Sequence, residues 1–275
     1  MTLLLDYELA EPTIRKLFDS KLRLAIVDAL AEKPMPLSDL RRVVGANAPN
    51  TSSKAKDLEE MGIVERNRGQ YGLTPYGRAV LHKSKQSFEF YATYEKFKEF
   101  WETRHLEGIP QELLLRLADL KESTLMRSSL TDVNKPHDDF VKMLYSLKER
   151  FFGLTPVYHS DYLNALILKV QEGLETNLIL TSDILSVFTK LPDDLRESLK
   201  KQSSALNLWV YPSNPHIGFM IGDDFMTLGL EPKDKTTHFI DMAVYSTHPN
   251  AIAWCLDLLE YYKIRSKPVN LGAYL

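Results

Sequence analysis

Cysteine is almost absent: Cys255 is the only one in 275 residues. A single thiol makes no internal disulfide and no thiolate-cluster zinc site. It also argues against a soft-metal sensor built on cysteine ligands. Long hydrophobic runs are missing as well, none reaching the roughly 18 apolar residues of a membrane span. "MTLLLDYELAEP" has no basic stretch and soon meets Asp6, Glu8 and Glu11, so it is a poor secretion signal. A cytoplasmic protein is the simplest expectation. No Gly-x-Ser-x-Gly, Walker or Rossmann fingerprint occurs, and "VVGANAPNTSSK" lacks the Gly-Lys-[Ser/Thr] spacing that cradles phosphate. Catalytic residues and cofactors therefore have no positive support, and no enzyme is expected.

What remains is an ordinary globular composition, 44% apolar and 26% charged, in a chain long for one domain and comfortable for two. The net charge of −3 conceals an asymmetry. Between Pro12 and Ser84 stand 13 basic against 8 acidic residues, a balance of +5. From Leu106 onward the count is 17 against 22, a balance of −5. A basic front and an acidic back suit a polyanion partner at one end only.

The front reads as a series of short elements. "TIRKLFDSKLRLAIVDALAEKP" has Leu22, Ile26 and Leu30 at i, i+4 spacing, an amphipathic helix stopped by "KPMP". "PLSDLRRVVG" is a second helix with Leu40, Val43 and Val44 inward and Gly45 at its end. A third, capped by Asn50 or Thr51, buries Thr51, Ala55 and Leu58 and turns Asn50, Ser53, Lys54 and Asp57 outward. Small polar residues and lysines on its first turns suit insertion into a major groove, where Asn and Lys reach base edges and backbone N–H groups meet phosphate. "IVERN" and "QYGLT" flank Arg68-Gly69 as a β-hairpin whose tip bears Arg66, Arg68 and Gln70. Thr74-Pro75 then opens a fourth helix.

That order is the winged helix-turn-helix. "KDLEEMGIVERNRGQYGLTPYGRAVL" resembles the ArsR-type winged-helix regulators of archaea and bacteria, with Asp57 to Val64 and Tyr71 to Gly77 matching their recognition-helix and wing motifs. The resemblance implies duplex DNA as partner. The expected base-facing residues are Asn50, Ser53 and Lys54; the expected phosphate contacts are Lys56, Arg66 and Arg68. A protein-interaction module using the same faces is the alternative.

"SFEFYATYEKFKEFWETRH" follows, with Phe90, Tyr94, Phe97 and Trp101 at i, i+4, i+7, i+11. Such a seam fits a helix packed on its own second domain or a contact between two chains, and a homodimer is preferred because winged helices read pseudo-palindromic sites. "HLEGIPQELLLRLADLKESTLMRSS" reads as a further helix with Leu113, Leu114, Leu117 and Leu120 inward, and "LTDVNKPHDD" as a loop. Beyond it "FVKMLYSLKERFFG" reads as helix, "LTPVYHS" as strand, "DYLNALILKVQEG" as helix and "LETNLILTS" as strand. Two helices, the strand "LNLWVY", the hairpin "HIGFMIGDDFMTLGL" and the helix "PNAIAWCLDLLEYYKIRS" complete an α/β domain. The expected division is a DNA-binding domain at 1–84, a helical linker at 85–130 and an α/β sensor domain at 131–275.

This half also carries a resemblance. "GIPQELLLRL", "PVYHSDYLNAL", "LETNLILTSDIL", "GDDFMTLGL" and "AIAWCLDLLEYYKIRS" occur in the order found in archaeal methanogenesis-regulator proteins. That family pairs an ArsR-like winged helix with a C-terminal domain named for the filamentation regulator of methanogens, which implies a transcription regulator with a sensor domain. More distantly the order is similar to half of a phospholipase D fold. His216 and Asp223 stand at the separation of its catalytic His and Asp, but Gly218 occupies the lysine position, so a dead frame is implied. Residues near strand ends, where α/β sheets place ligands, are Tyr158, Thr181, Tyr211 and His216, the expected contacts of a small-molecule effector. "PHDD" (His137, Asp138, Asp139) and "YHSD" (His159, Asp161) offer metal-compatible side chains but read as solvated loops, and no metal is assigned.

Overall fold

The computed structural model describes residues 2–128, 132, 134–188, 190–201, 205–234, 239 and 241–269. They form two compact units, Met1–Phe88 and Glu89–Leu275. Most of the segment expected as a linker, 85–130, thus belongs to the second unit.

The first unit runs α1 (Leu3–Phe18), α2 (Lys21–Glu32), β1 (Met35–Pro36), α3 (Leu37–Val44), α4 (Ala48–Glu60), β2 (Val64–Asn67), β3 (Gln70–Leu73) and the start of α5 (Pro75–Lys96). The first amphipathic helix is in fact two. Ser20 is extended and its Oγ accepts from Arg23 N–H at 3.3 Å, so a cap restarts the helix where periodicity alone runs through. α4 also begins earlier than expected, because Asn47 rather than Asn50 or Thr51 is the cap; its Oδ1 accepts from Asn50 N–H at 2.9 Å. Val43, read as inward, is exposed, while Leu40 on the same helix is fully buried. Ile26, Leu40, Ala55, Leu58 and Ile63 form the centre of a core that α2, α3 and α4 share with the three-stranded antiparallel sheet β1-β3-β2. Burial of each aliphatic side chain there contributes about 1.5–3 kcal/mol relative to exposure.

The second unit adds α6 (Lys98–Thr103), α7 (Gln111–Leu114), β4 (Thr124–Arg127), α8 (Lys135–Ser146), β5 (Arg150–Thr155), α9 (Ser160–Gln171), β6 (Glu175–Thr181), α10 (Ser182–Phe188), α11 (Asp193–Lys201), β7 (Leu206–Tyr211), β8 (Ile217–Ile221), β9 (Met226–Leu230), β10 (Met242–Ser246), α12 (Pro249–Lys263) and β11 (Lys267–Pro268). Its eight-stranded sheet has the order β11-β7-β6-β5-β8-β9-β10-β4. β5, β6 and β7 are parallel, joined by helical crossovers, and the other pairings are antiparallel. The mixed α/β class expected from the strand–helix alternation is therefore observed.

Several local expectations differ. Residues 106–128 are not one helix but a single turn, α7, between two 3-10 turns, followed by strand β4. The Leu113 carbonyl accepts from the Trp254 indole N–H and from Arg116 N–H, both at 3.0 Å, which removes the acceptor a continuing helix requires. Arg150–Gly153 pair as strand rather than ending a helix, and "LTPVYHS" contributes only Leu154 and Thr155 to that strand. "MAVYS", read as nothing, is β10. α8 starts at Lys135 inside the expected loop, whose Leu130, Thr131 and Val133 lie outside the described residues.

Alternation along the strands separates two cores. Ile179 joins the core that contains α12, whereas its neighbours Leu178 and Leu180 join the core of α8, α9 and α10. The aromatic seam is spent on the first of these. Phe97 and Trp101 are buried edge-to-face at 6.0 Å, with Phe90 and Tyr94 packed alongside. Phe97 moreover interrupts the helix between α5 and α6. The expected inter-chain contact along this seam is thus replaced by packing within the unit. Cys255 is fully buried in the same core, and burial raises its thiol pKa. Among the described residues no helix is long and apolar enough to cross a membrane.

Candidate nucleic-acid interface and C-terminal cavity

The outer face of α4 follows from its inner one. Thr51, Ala55 and Leu58 are buried, so Asn50, Ser53 and Lys56 project into solvent. The positive end of the α4 dipole lies at this same end, near Asn50. Lys54 is placed differently from the other expected contacts: its Nζ pairs with Asp57 Oδ2 at 3.3 Å. Asp57, read as outward, is half-buried and also accepts from Arg23 Nη1 at 2.8 Å. Burial pulls the Asp57 carboxyl pKa up, but hydrogen bonds from Lys54 and Arg23 outweigh that and hold it below the usual carboxylate range. The Arg23–Asp57 pair ties α2 to α4, and Lys16–Glu60 at 3.3 Å ties α1 to the end of α4.

The hairpin beside α4 is shaped by its turn. Arg68 (φ 49°) and Gly69 (φ 83°) both take left-handed backbone, the requirement of a tight two-residue hairpin turn. Arg66 and Arg68 are exposed at the tip, and the Arg66 guanidinium lies 5.3 Å from the centre of the Tyr71 ring. The base of the hairpin is closed by "TPYG". Thr74 Oγ1 accepts from Gly77 N–H at 2.9 Å and donates to Gly62 O at 2.6 Å. A Cβ at Gly77 would stand 2.0 Å from the Ile63 carbonyl oxygen, so this approach of α5 to the hairpin requires glycine.

In the second unit a cavity of about 140 Å³ lies between α8, α9 and the sheet. Its wall is apolar, from side chains such as Phe140, Leu144, Leu166, Leu178 and Met220. A dry cavity of this size takes a molecule about as large as benzene. Tyr158, expected from the sequence, lines it; Thr181, Tyr211 and His216 do not. Thr181 Oγ1 accepts from Ile184 N–H at 3.4 Å, Tyr211 packs edge-to-face on Tyr262 at 5.0 Å, and His216 Nδ1 is bonded to Glu231. His216 and Asp223 lie at opposite ends of β8, so no catalytic pair assembles. The Asp223 carboxylate instead accepts from the N–H groups of Lys148, Glu149 and Arg150 at 2.9–3.2 Å. Burial raises its pKa, and those three backbone bonds bring it below the usual range.

Polar side chains gather at one edge of this cavity. His137 Nε2 is 3.1 Å from Asp161 Oδ2, and His137 Nδ1 is 3.0 Å from Tyr162 Oη. The His137 and His159 rings are 4.0 Å apart, and His159 Nδ1 caps α9 by accepting from Asp161 N–H at 3.3 Å. Burial, then the charges of Asp161 and Asp138, raise the Tyr162 pKa, so its hydroxyl stays protonated at neutral pH. The loops expected at "PHDD" and "YHSD" are instead the starts of two helices that pack side by side, and this packing joins histidines 22 positions apart.

The N-terminal domain of the methanogenesis regulatory protein FilR1 matches residues 11–86, and its middle domain matches residues 133–265. The chain is similar to FilR1 in both domains. FilR1 of Methanothrix harundinacea (strain 6Ac) is 24% identical over 265 residues, which cover 92% of this chain. The chain spans 57% of the length of FilR1. Among solved structures, TrmBL2, described as an archaeal chromatin protein with a novel mode of DNA binding, covers 95% of this chain and 99% of its own. It is 16% identical, with a TM-score of 0.43. Nuc of Salmonella typhimurium, a phospholipase D family member, covers 54% of this chain and 99% of its own at 12% identity and a TM-score of 0.39. Likeness at this level assigns no role. The FilR1 middle-domain match contains the whole His137–His159–Asp161–Tyr162 edge, and the N-terminal match contains α4 and the hairpin.

Proposed function

We propose that the protein is a transcription regulator whose N-terminal unit is a winged helix of ArsR type, reading duplex DNA with α4 and the β2–β3 hairpin. The observation that carries this is one surface of one unit. Asn50, Ser53 and Lys56 project from α4, Arg66 and Arg68 extend from the adjoining hairpin, and the Arg23–Asp57 pair anchors α4 to α2. Small side chains and Asn read base edges, while the wing arginines and Lys56 contact phosphate. Lys54 reaches a base only by leaving Asp57, so its contribution is smaller than that of Asn50. Similarity to a methanogenesis regulatory protein supports the regulatory role.

The regulator acts as a homodimer. Since the aromatic seam is buried within the second unit, the pairing surface is α1, which leaves Leu3, Leu4, Leu5 and Leu9 exposed. Its effector is a small apolar molecule in the C-terminal cavity, which shifts operator affinity by binding one arrangement of the dimer better than another.

Fluorescence anisotropy on duplex fragments from the protein's own upstream region and on matched random DNA, across a salt series, tests the reading. Specific binding with a steep negative salt slope is expected. Absence of binding at low salt, with or without candidate apolar effectors, overturns it. The alternative is a protein-interaction module on the same face, favoured by the Lys54–Asp57 pairing and by the modest +5 balance. Salt-insensitive capture of a protein partner, with no DNA shift, would establish that reading.

A further inference from the structure

Among the described residues, one group of three metal-compatible side chains converges: His137, His159 and Asp161 each bring a ligand atom within 4.8 Å of the others. We propose that these three residues bind a divalent transition ion of the zinc, cobalt or nickel class at the edge of the cavity. Two imidazoles and one carboxylate form a borderline donor set, suited to those ions and unlike the all-oxygen cages of calcium or magnesium. The spacing is also right. Two ligand atoms, each about 2.0–2.1 Å from a tetrahedral ion, are roughly 3.3 Å apart. Asp161 Oδ2 is 3.1 Å from His137 Nε2 and 3.8 Å from His159 Nδ1, and to ligate through Nδ1 His159 gives up the long 3.3 Å bond it accepts from Asp161 N–H.

The surroundings suit the same reading. His137 Nδ1 meets the Tyr162 hydroxyl at 3.0 Å, the outer hydrogen bond that commonly orients a ligating imidazole. Nε2 then faces a carboxylate, and an ion takes the place of the proton those two groups share. The ligands stand on the first turn of α8 and across the cap of α9, so helix packing sets their separation. Three protein ligands leave a fourth position open. His159 and Tyr162 also line the cavity. This proposal does not depend on DNA binding.

The test is a titration of the full-length chain with Zn²⁺ in competition with a chromophoric chelator, and with Co²⁺ followed by its visible absorption. The expected result is one ion per chain with Kd on the order of 1 μM and an intense, tetrahedral-type cobalt spectrum. His137→Ala and Asp161→Ala should each weaken binding at least about 100-fold, and Tyr162→Phe about 10-fold through loss of the outer bond. His137→Gln, closer in shape, serves where alanine disturbs folding. His248→Ala is the control, because His248 caps α12 through Nδ1 just as His159 caps α9, yet stands outside the cluster. No binding at about 100 μM ion, far above that Kd, overturns the proposal. So does binding that survives His137→Gln and Asp161→Ala unchanged, or Mg²⁺ binding as tight as Zn²⁺.

Discussion

The two candidate sites of this protein are assembled in opposite ways. The surface proposed for DNA is built from fewer than thirty consecutive residues, Asn50 to Gly77. The cavity and its polar edge draw on α8, β5, α9, β6, β8, β9 and β10, elements spread over more than a hundred residues. A local surface depends on caps, turns and one helical period. A convergent one depends on which helices lie side by side on a sheet, and no short stretch of sequence records that.

Perturbations can break this comparison or sharpen it. All three tryptophans, Trp101, Trp209 and Trp254, lie in the second unit, so their fluorescence reports that unit alone. Leu178→Ala should destabilise it most, by about 2–5 kcal/mol, since it enlarges an existing cavity. The tryptophan transition in urea should move, and a small aromatic additive should restore part of the loss. Gly77→Ala should cost about 1–3 kcal/mol or more, because its Cβ collides with the Ile63 carbonyl. Far-UV circular dichroism should record that loss while the tryptophan transition stays in place. An equal shift in both signals would mean that the first unit is not locally encoded after all.

Asn50→Ala should cost about 1–3 kcal/mol on the preferred operator and little on random DNA. Equal losses on both would move Asn50 to the phosphate-contacting group. Asp57→Asn should lower stability by about 1 kcal/mol at neutral pH, the scale of charge-assisted hydrogen bonds partly open to water. The folded-state pKa of Asp57 is depressed, so its contribution is complete above the unfolded value of about 3.9 and is lost as pH falls through the folded one. Wild type and variant should therefore begin to converge only below the unfolded value of about 3.9 and meet once pH has fallen below the depressed folded-state value, and a gap that persists after Asp57 is protonated in the folded protein would assign the effect to packing. Arg68→Ala is the mildest change. It should weaken binding to all sequences alike and reduce the salt slope by about 1.

The sequence was legible where one physical rule acted alone. Thr51, Ala55 and Leu58 marked the buried face of α4, and a hairpin turn at Arg68-Gly69 was readable between two short alternating runs. It misled where two rules competed. Helical periodicity ran through Ser20, yet a side-chain cap divides the helix there. Leucine spacing predicted one helix across residues 105–129, yet the Leu113 carbonyl that would have continued it is taken by Arg116 N–H and by the Trp254 indole, 141 positions away. The aromatic seam was real, but its period did not say what covers it. Phe97 and Trp101 face the core of their own unit.

By itself, then, the sequence determined the succession of helices and hairpin from α3 to α5, the α/β character of the second unit, and which residues of α4 are buried. These follow from backbone propensity, capping chemistry and periodic burial, which act over a few positions. Only the tertiary structure decided that Lys54 is tethered to Asp57, that α1 rather than the aromatic seam is left exposed, and that His137 meets His159. Those outcomes depend on pairings between distant segments. Such pairings are selected by the total area and the hydrogen bonds that whole elements bury together, a quantity no local window of residues contains.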